Sequence, residues 1–396
     1  MGTLINGCAR QFIKNVYFWS VNSSLPLLRK RKLLHSTQSD FHMFCKCMLM
    51  KNQQRYGTSV DPCNFTKLST SVTDTWTKTV TVSLPQKHNP GKNLPFRISV
   101  LDTFPGVADE NKPTVVAIHG VPNTGKVYQS LATQLYNKGI RLVAPTTFGM
   151  EFSQADVKHI SNIDFTTTNR AYATQQVLKE LNIKKIDVLV GHSAGSWVVY
   201  EAGANWDNVG ALICVNPTGA TANRGMRPEW FMKSVAYLLL IPWCRWLLMP
   251  IVKRAYNALF DIREVSLDND GAHLIACQQY ITHQQYERVP INANKIREKK
   301  IPIVMMYSLN DRLVETSICS DMADKYLQIP KENKVMFADD KTSDKDPCFV
   351  PNGWFSKSLV FARGGHIVHI AHEAELVQQI EHVIKQGSKK RCFATK

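Results

Sequence analysis

Five residues, Gly191-His192-Ser193-Ala194-Gly195, stand between the apolar run IDVLV at 186–190 and the helical text SWVVYEA. A strand before and a helix after is the setting a nucleophile elbow requires. A serine at such a bend sits on a strained turn packed against neighbouring backbone, and glycine leaves the room because it has no Cβ. The Ser193 hydroxyl is then presented above a strand end, beside a helix N-terminus that favours developing negative charge. The plain alternative is a serine in an ordinary glycine-rich turn, and the flanking strand and helix argue against it.

The text around this pentapeptide supplies the sheet. TKTVTVSL at 77–84 and FRISVLDTF at 96–104 alternate as half-buried strands do, with a turn expected at Asn89-Pro90-Gly91. TVVAI at 114–118, IRLVA at 140–144, IDVLV at 186–190 and ALICV at 211–215 are continuous apolar runs, the pattern of strands covered on both faces. Helical spacing lies between them: Val127, Leu131 and Leu135 before Gly139, then Tyr172, Val177, Leu178 and Leu181 behind a Thr166–Thr168 cap. Strand character returns in IPIVMMY at 301–307 and LVFA at 359–362, and Leu376, Val377, Ile380, Val383 and Ile384 form a final amphipathic helix. Repeated alternation predicts a mostly parallel sheet with helices on both faces.

Residues 220–300 interrupt that alternation with aromatic-rich and then polar helical text. Within them, 235–252 (VAYLLLIPWCRWLLMPIV) reaches the minimum length of a membrane span but holds Pro242, Arg245 and Pro250. A central charge and prolines disfavour a span, and broken apolar helices are expected instead. Trp230, Phe231, Tyr237, Trp243, Trp246 and Leu247 either pack on one another and the core, or form an acyl pocket or interfacial surface.

A neutral serine needs a base, and the base needs an acid to hold it. The expected chain order is Ser, then Asp or Glu, then His. Asp311 follows IPIVMMY, and His366 follows LVFARGG. All three lie just past strand C-termini, where open α/β sheets place their sites. Asp311 is expected to orient the imidazole and His366 to take the Ser193 proton. Oxyanion donors are expected in the backbone N–H groups of Ala194 and of Val121, in the loop His119-Gly120-Val121-Pro122; His119 itself is read as a loop-shaping residue. Among rivals, Asp339 and Asp340 lie in a charged run, and Asn216 has no carboxylate. His369 and His372 read as structural or surface residues. His366, His369 and His372 are spaced by three, but His372-Glu373 does not continue as a zinc-protease motif, so no metal is expected.

Composition excludes several classes. Of 396 residues, 44% are hydrophobic and 20% charged, which is globular and neither disordered nor multi-span. The net charge of +16 raises nucleic acid, but residues 1–40 supply +5 from six bases and one acid, and the last twelve residues supply another +5. No zinc-finger or aromatic RNA-binding pattern supports that reading. The ten cysteines show no CxxC spacing and fit a reducing compartment. The acid-poor, basic, serine-bearing leader at 1–40 reads as a mitochondrial transit peptide, with a cytoplasmic or membrane-associated protein as the alternative.

The motifs His119-Gly120-x-Pro122, Gly191-His192-Ser193-Ala194-Gly195, Asn310-Asp311-x-x-Val314 and Gly364-Gly365-His366 occur in that order. In this the chain, from about 77 to 386, resembles the α/β-hydrolase fold enzymes that carry a helical cap between the sixth and seventh core strands, and is similar to invertebrate serine hydrolases. The first motif also resembles epoxide hydrolases and haloalkane dehalogenases, but those have Asp at the elbow where this chain has Ser193. The resemblance implies a core at 75–219 and 301–388 and a cap at 220–300, behind the basic leader at 1–40 and a linker at 41–74 read from the sequence itself. It implies a cofactor-free serine hydrolase, esterase-, lipase- or thioesterase-like, and the apolar text at 220–300 adds the expectation of a lipophilic substrate. Alternatives are the same triad on an amide or carbon–carbon bond, or a non-catalytic binding protein on this scaffold. The expected partner is a small acyl ester or lipid, with no nucleic acid, and with peripheral membrane contact through the cap.

Overall fold

The structure is a computed structural model that describes residues 76–106, 112–150, 153, 157–260, 271–337 and 354–394. The leader and linker readings, and the charged run with Asp339 and Asp340, lie outside these residues.

Among the described residues nine strands form one sheet: β1 (Thr77–Gln86), β2 (Asn89–Asp102), β3 (Thr114–Ile118), β4 (Arg141–Pro145), β5 (Val188–His192), β6 (Leu212–Val215), β7 (Ile303–Ser308), β8 (Lys334–Phe337) and β9 (Ser356–Phe361). Their spatial order is β1-β2-β4-β3-β5-β6-β7-β9-β8. β1, β2 and β4 pair antiparallel, and every pair beyond β4 is parallel. Helices α1 (Gln129–Asn137), α2 (Val157–Ser161), α3 (Thr167–Glu180) and α4 (Gly195–Asn205) connect the first half. Four more, α5 (Glu229–Leu240), α6 (Pro242–Phe260), α7 (Ala272–Thr282) and α8 (Arg288–Glu298), lie between β6 and β7. α9 (Thr316–Asp321), α10 (Val368–Ala371) and α11 (Glu373–Ala394) complete the chain.

Successive side chains of a strand point to opposite faces. Val115, Ala117, Val188, Val190, Ile213 and Val304 accordingly join one apolar cluster with Leu131 and Leu135 of α1 and Leu376 and Ile380 of α11. Their neighbours Val116, Ile118, Leu189, Leu212 and Ile303 join the other, with Val177 of α3, Val199 of α4, and Leu239, Ile275 and Ile296 of the insertion. A sheet covered on both faces explains why these strands read as unbroken apolar runs. Thr166 caps α3 as the sequence suggests, its Oγ1 accepting from the Asn169 N–H at 3.4 Å.

Two local expectations change. The hairpin bends at Lys87-His88, and Asn89-Pro90-Gly91 belongs to β2. β4 reaches only Val100–Asp102 of β2, so no ladder bond to β4 is needed at Pro90. β8 has no signature in the sequence, because its first three residues are exposed or half-buried on the sheet edge.

Candidate active site

Ser193 has φ = +52°, the left-handed region that a β-carbon disfavours. The surroundings over-determine it. The Ser193 N–H donates to the Val215 carbonyl at 3.0 Å, and the Ser193 carbonyl accepts from the Ser196 N–H at 3.0 Å and the Thr218 hydroxyl at 3.1 Å. A Cβ on Gly195 would stand 2.3 Å from the Ile118 carbonyl oxygen, and one on Gly120 would stand 2.8 Å from Ser193 Cβ. Helix α4 therefore starts against the end of β3 only because residue 195 has no side chain.

The bend brings together the three residues singled out in the sequence. The Ser193 hydroxyl and His366 Nε2 are 2.8 Å apart, and His366 Nδ1 donates to Asp311 Oδ2 at 2.8 Å. Asp311 Oδ1 accepts from the Leu313 and Val314 N–H groups at 2.8 and 3.1 Å. Burial pushes this carboxyl up, but the hydrogen bond and charge of His366 and the two backbone donors outweigh it, so it ionises below the ordinary carboxylate range.

Asn216, which lacks the carboxylate a triad needs, nevertheless touches Asp311. It sits at the end of β6 with φ = +41°, and its Nδ2 donates to Asp311 Oδ2 at 2.8 Å and to the Gly365 carbonyl at 3.1 Å. Its place beyond a strand C-terminus next to the elbow was the one signal that could have marked it. Ser308 and Asn310 hold the same loop, through the Gly365 carbonyl at 2.7 Å and the Gly365 N–H at 2.8 Å.

Behind His366 lie more imidazoles. His192 Nε2 donates to the His366 carbonyl at 2.8 Å, and its ring lies 4.0 Å from that of His369. His369 is buried, and neither of its ring nitrogens has a hydrogen-bond partner. Burial lowers the pKa of His192 well below the ordinary value and that of His369 to about 3. His119 Nδ1 donates to the Gly120 carbonyl at 2.9 Å while its Nε2 accepts from the Thr147 N–H at 2.9 Å; burial lowers its pKa to about 4. Both nitrogens are spent on backbone, the arrangement of a loop-shaping residue. His372 bonds to the Arg363 carbonyl. Among the described residues no group of three His, Cys, Asp or Glu could hold a metal ion.

Val121 and Ala194 line one small cavity of about 10 Å³, room for about one water molecule. Neither backbone N–H is engaged by a carbonyl in the turns and loops described. Arg170 of α3 and Tyr280 of α7 close the far side. Arg170 is buried, with its guanidinium 4.8 Å from the Tyr280 ring centre. It bonds to Gln284 Oε1 and Thr167 Oγ1, while its Nε and the Tyr280 hydroxyl have no partner. Burial lowers its pKa to about 10, so it is cationic at neutral pH. Nothing local in the sequence marks Arg170, because an arginine inside a helix ordinarily reads as a solvated face.

Sheet order, elbow and the loops beyond β3, β7 and β9 define an α/β-hydrolase. The chain belongs to the family described as "Alpha/beta hydrolase of unknown function (DUF1057)", whose model matches residues 92–385. No curated protein matches the sequence. Among solved structures it is similar to a thermophilic esterase from Thermogutta terrifontis, at 15% identity and a TM-score of 0.52, covering 78% of this chain and 99% of that one. It is similar also to a putative aryl esterase from Burkholderia cenocepacia, at 12% identity and a TM-score of 0.51, covering 78% and 100%. At these identities the likeness is one of fold.

Proposed function

We propose that the protein is a serine hydrolase of carboxylic esters or thioesters with a lipophilic acyl group. The observation that carries this reading is the unbroken chain from Ser193 Oγ through His366 to Asp311, with 2.8 Å at each link. His366 Nε2 takes the Ser193 proton as Oγ bonds to the carbonyl carbon. Asp311 steadies the imidazolium. The carbonyl oxygen gains the electron pair beside the Val121 and Ala194 N–H groups. Collapse expels the alcohol or thiol, which leaves with the proton from His366. A water, giving its proton to His366, then attacks the acyl-enzyme, and the carboxylic acid departs with Ser193 restored. No cofactor takes part in these steps.

The helices between β6 and β7 act as the cap in this reading, over a core of residues 75–219 and 301–388. Tyr280 on α7 shares the cavity with Ala194, and that cavity holds about one water, so a long acyl group requires α7 to shift. Labelling with a fluorophosphonate, followed by turnover of an ester and thioester panel, tests the assignment. Labelled wild type, unlabelled Ser193→Ala and turnover lost with the serine are expected; full turnover by Ser193→Ala refutes it. Mitochondrial placement rests on the acid-poor leader, and N-terminal sequencing of protein from cells tests it; a mature chain beginning at residue 1 or 2 counts against cleavage.

A further inference from the structure

The two longest stretches of apolar text in the insertion leave their largest side chains in solvent. On α5, Trp230 and Tyr237 are each 67% exposed; on α6, Trp243, Trp246 and Leu247 are 57%, 78% and 46% exposed. The positions are not scattered. Trp230 and Tyr237 are seven apart, with exposed Lys233 between them, and Trp243, Trp246, Leu247, Pro250 and Arg254 follow the spacing of one helix face. The opposite faces are already used: Val235, Ala236 and Leu239 of α5, and Cys244, Met249 and Val252 of α6, are buried. Each helix is thus apolar on its inner face and again on its outer one. An ordinary surface helix turns polar residues outward.

The charges beside these stripes are mostly basic, and the one acid, Glu229, pairs with Lys233 at 3.5 Å. Residues 229–260 hold Lys233, Arg245, Lys253 and Arg254 against the single acid Glu229. The chain as a whole carries +16. Tryptophan and tyrosine flanked by lysine and arginine match the boundary between lipid headgroups and acyl chains, where an amphipathic ring and a cation are both satisfied. No helix among the described residues is long and apolar enough to cross a membrane, and the chain breaks at Ile241 between α5 and α6, which opens with Pro242. The face can therefore lie on a bilayer and not span it.

We infer that the outer face of α5 and α6 docks on an anionic phospholipid surface. The rings enter the headgroup boundary and the basic side chains meet lipid phosphates and carboxylates. α5 packs on α7, the helix that carries Tyr280 into the cavity beside Ala194. Docking therefore brings the bilayer to a helix packed on α7. The inference stands apart from the catalytic reading, because binding needs no turnover.

Co-sedimentation of the full-length Ser193→Ala protein with vesicles tests it. Vesicles of phosphatidylcholine mixed with phosphatidylserine should carry the protein down, and phosphatidylcholine alone should carry about tenfold less. The Trp243→Ser/Trp246→Ser double variant should lose about tenfold or more of its partitioning into mixed vesicles. Arg254→Gln should lower binding to the mixed vesicles alone. All these side chains are exposed, and unchanged thermal midpoints will show that the variants fold. Failure of the protein to sediment, or equal sedimentation of the tryptophan variant, overturns the proposal. So does a stable dimer in sedimentation velocity that the double variant dissolves, since a second copy would then cover the face. Loss of ester turnover in the wild type with vesicle binding intact would refute only the hydrolase reading.

Discussion

Asn216 and His366 hydrogen-bond to the same oxygen of Asp311, each from 2.8 Å. The amide also spans to the Gly365 carbonyl, one residue before the imidazole. One side chain at the end of β6 therefore fixes both the Asp311 carboxylate and the loop that carries His366. Asn216→Ala should lower kcat about ten- to a hundredfold with KM nearly unchanged, since small misplacements of a reacting group have effects of that size. Asn216→Asp sets a second carboxylate against Asp311, disfavours its charged form, and should move the acid limb of the pH–rate profile upward. Steady-state kinetics on one short-chain ester checks both; an unshifted limb in Asn216→Asp would mean that the contact does not govern Asp311.

Gly195, two residues beyond Ser193, makes a separate stability prediction. A methyl at Gly195 meets the Ile118 carbonyl at 2.3 Å, so either α4 or β3 must shift. Gly195→Ala should destabilise the fold by about 1–3 kcal/mol, the range of overpacked cores, despite alanine's better helix propensity. Urea denaturation decides it. A midpoint equal to or above that of the wild type would contradict the packing argument.

The same residues explain what was legible beforehand. Ser193, Asp311 and His366 lie 173 and 55 residues from their partners in the two hydrogen bonds, yet each could be placed because it follows a strand that reads unmistakably as buried. Parallel strands covered on both faces leave a strong apolar signal, and the loops beyond them inherit that clarity. β8 was invisible because an edge strand need bury little. Arg170 was invisible as a site residue, and Asn216 was passed over, for another reason. Their importance lies in contacts made from other parts of the chain; an arginine in a helix carries no local mark of them, and an asparagine after a strand carries only its position. The outward tryptophans of α5 and α6 show the converse: apolar periodicity locates a helix but does not say which of two apolar faces meets the core.

The neutral histidines around the site predict an acid-labile fold. Burial lowers the pKa of His119 to about 4 and that of His369 to about 3, below the ordinary imidazole value. The unfolded chain takes up protons as pH falls below about 6.5, while the folded chain does not, so stability is full above that pH and declines below it. The decline continues to about pH 4 for His119 and about pH 3 for His369. Each such ring should add about 1.4 kcal/mol per pH unit to the slope. Urea midpoints measured from about pH 7 down to about pH 5 should fall, and His369→Leu should remove one ring's share of the slope whatever its effect on absolute stability. Parallel slopes for the two proteins would show that His369 is not neutral in the folded state.

Arg170 supports a last prediction, which rests on the proposed hydrolase chemistry. A buried guanidinium ordinarily meets a carboxylate. This one instead bonds to Gln284 and Thr167, with Asp164 near enough only to interact through space. It lines the cavity that also holds Val121 and Ala194, where the oxyanion would form. In a low-dielectric site a fixed positive charge favours negative charge that develops there, and it acts more on the transition state than on the neutral ester. Arg170→Met should therefore lower kcat about tenfold or more while leaving KM near its wild-type value, and Arg170→Lys should recover part of the loss. The methionine variant also removes one of the two buried donors to Gln284 Oε1, leaving the Thr167 hydroxyl at 3.1 Å, a stability loss of about 0.5–1.5 kcal/mol that Arg170→Met/Gln284→Leu should partly restore. Restored stability without restored kcat is the outcome that separates an electrostatic role from a structural one; full turnover in the doubly substituted protein would assign Arg170 to packing alone.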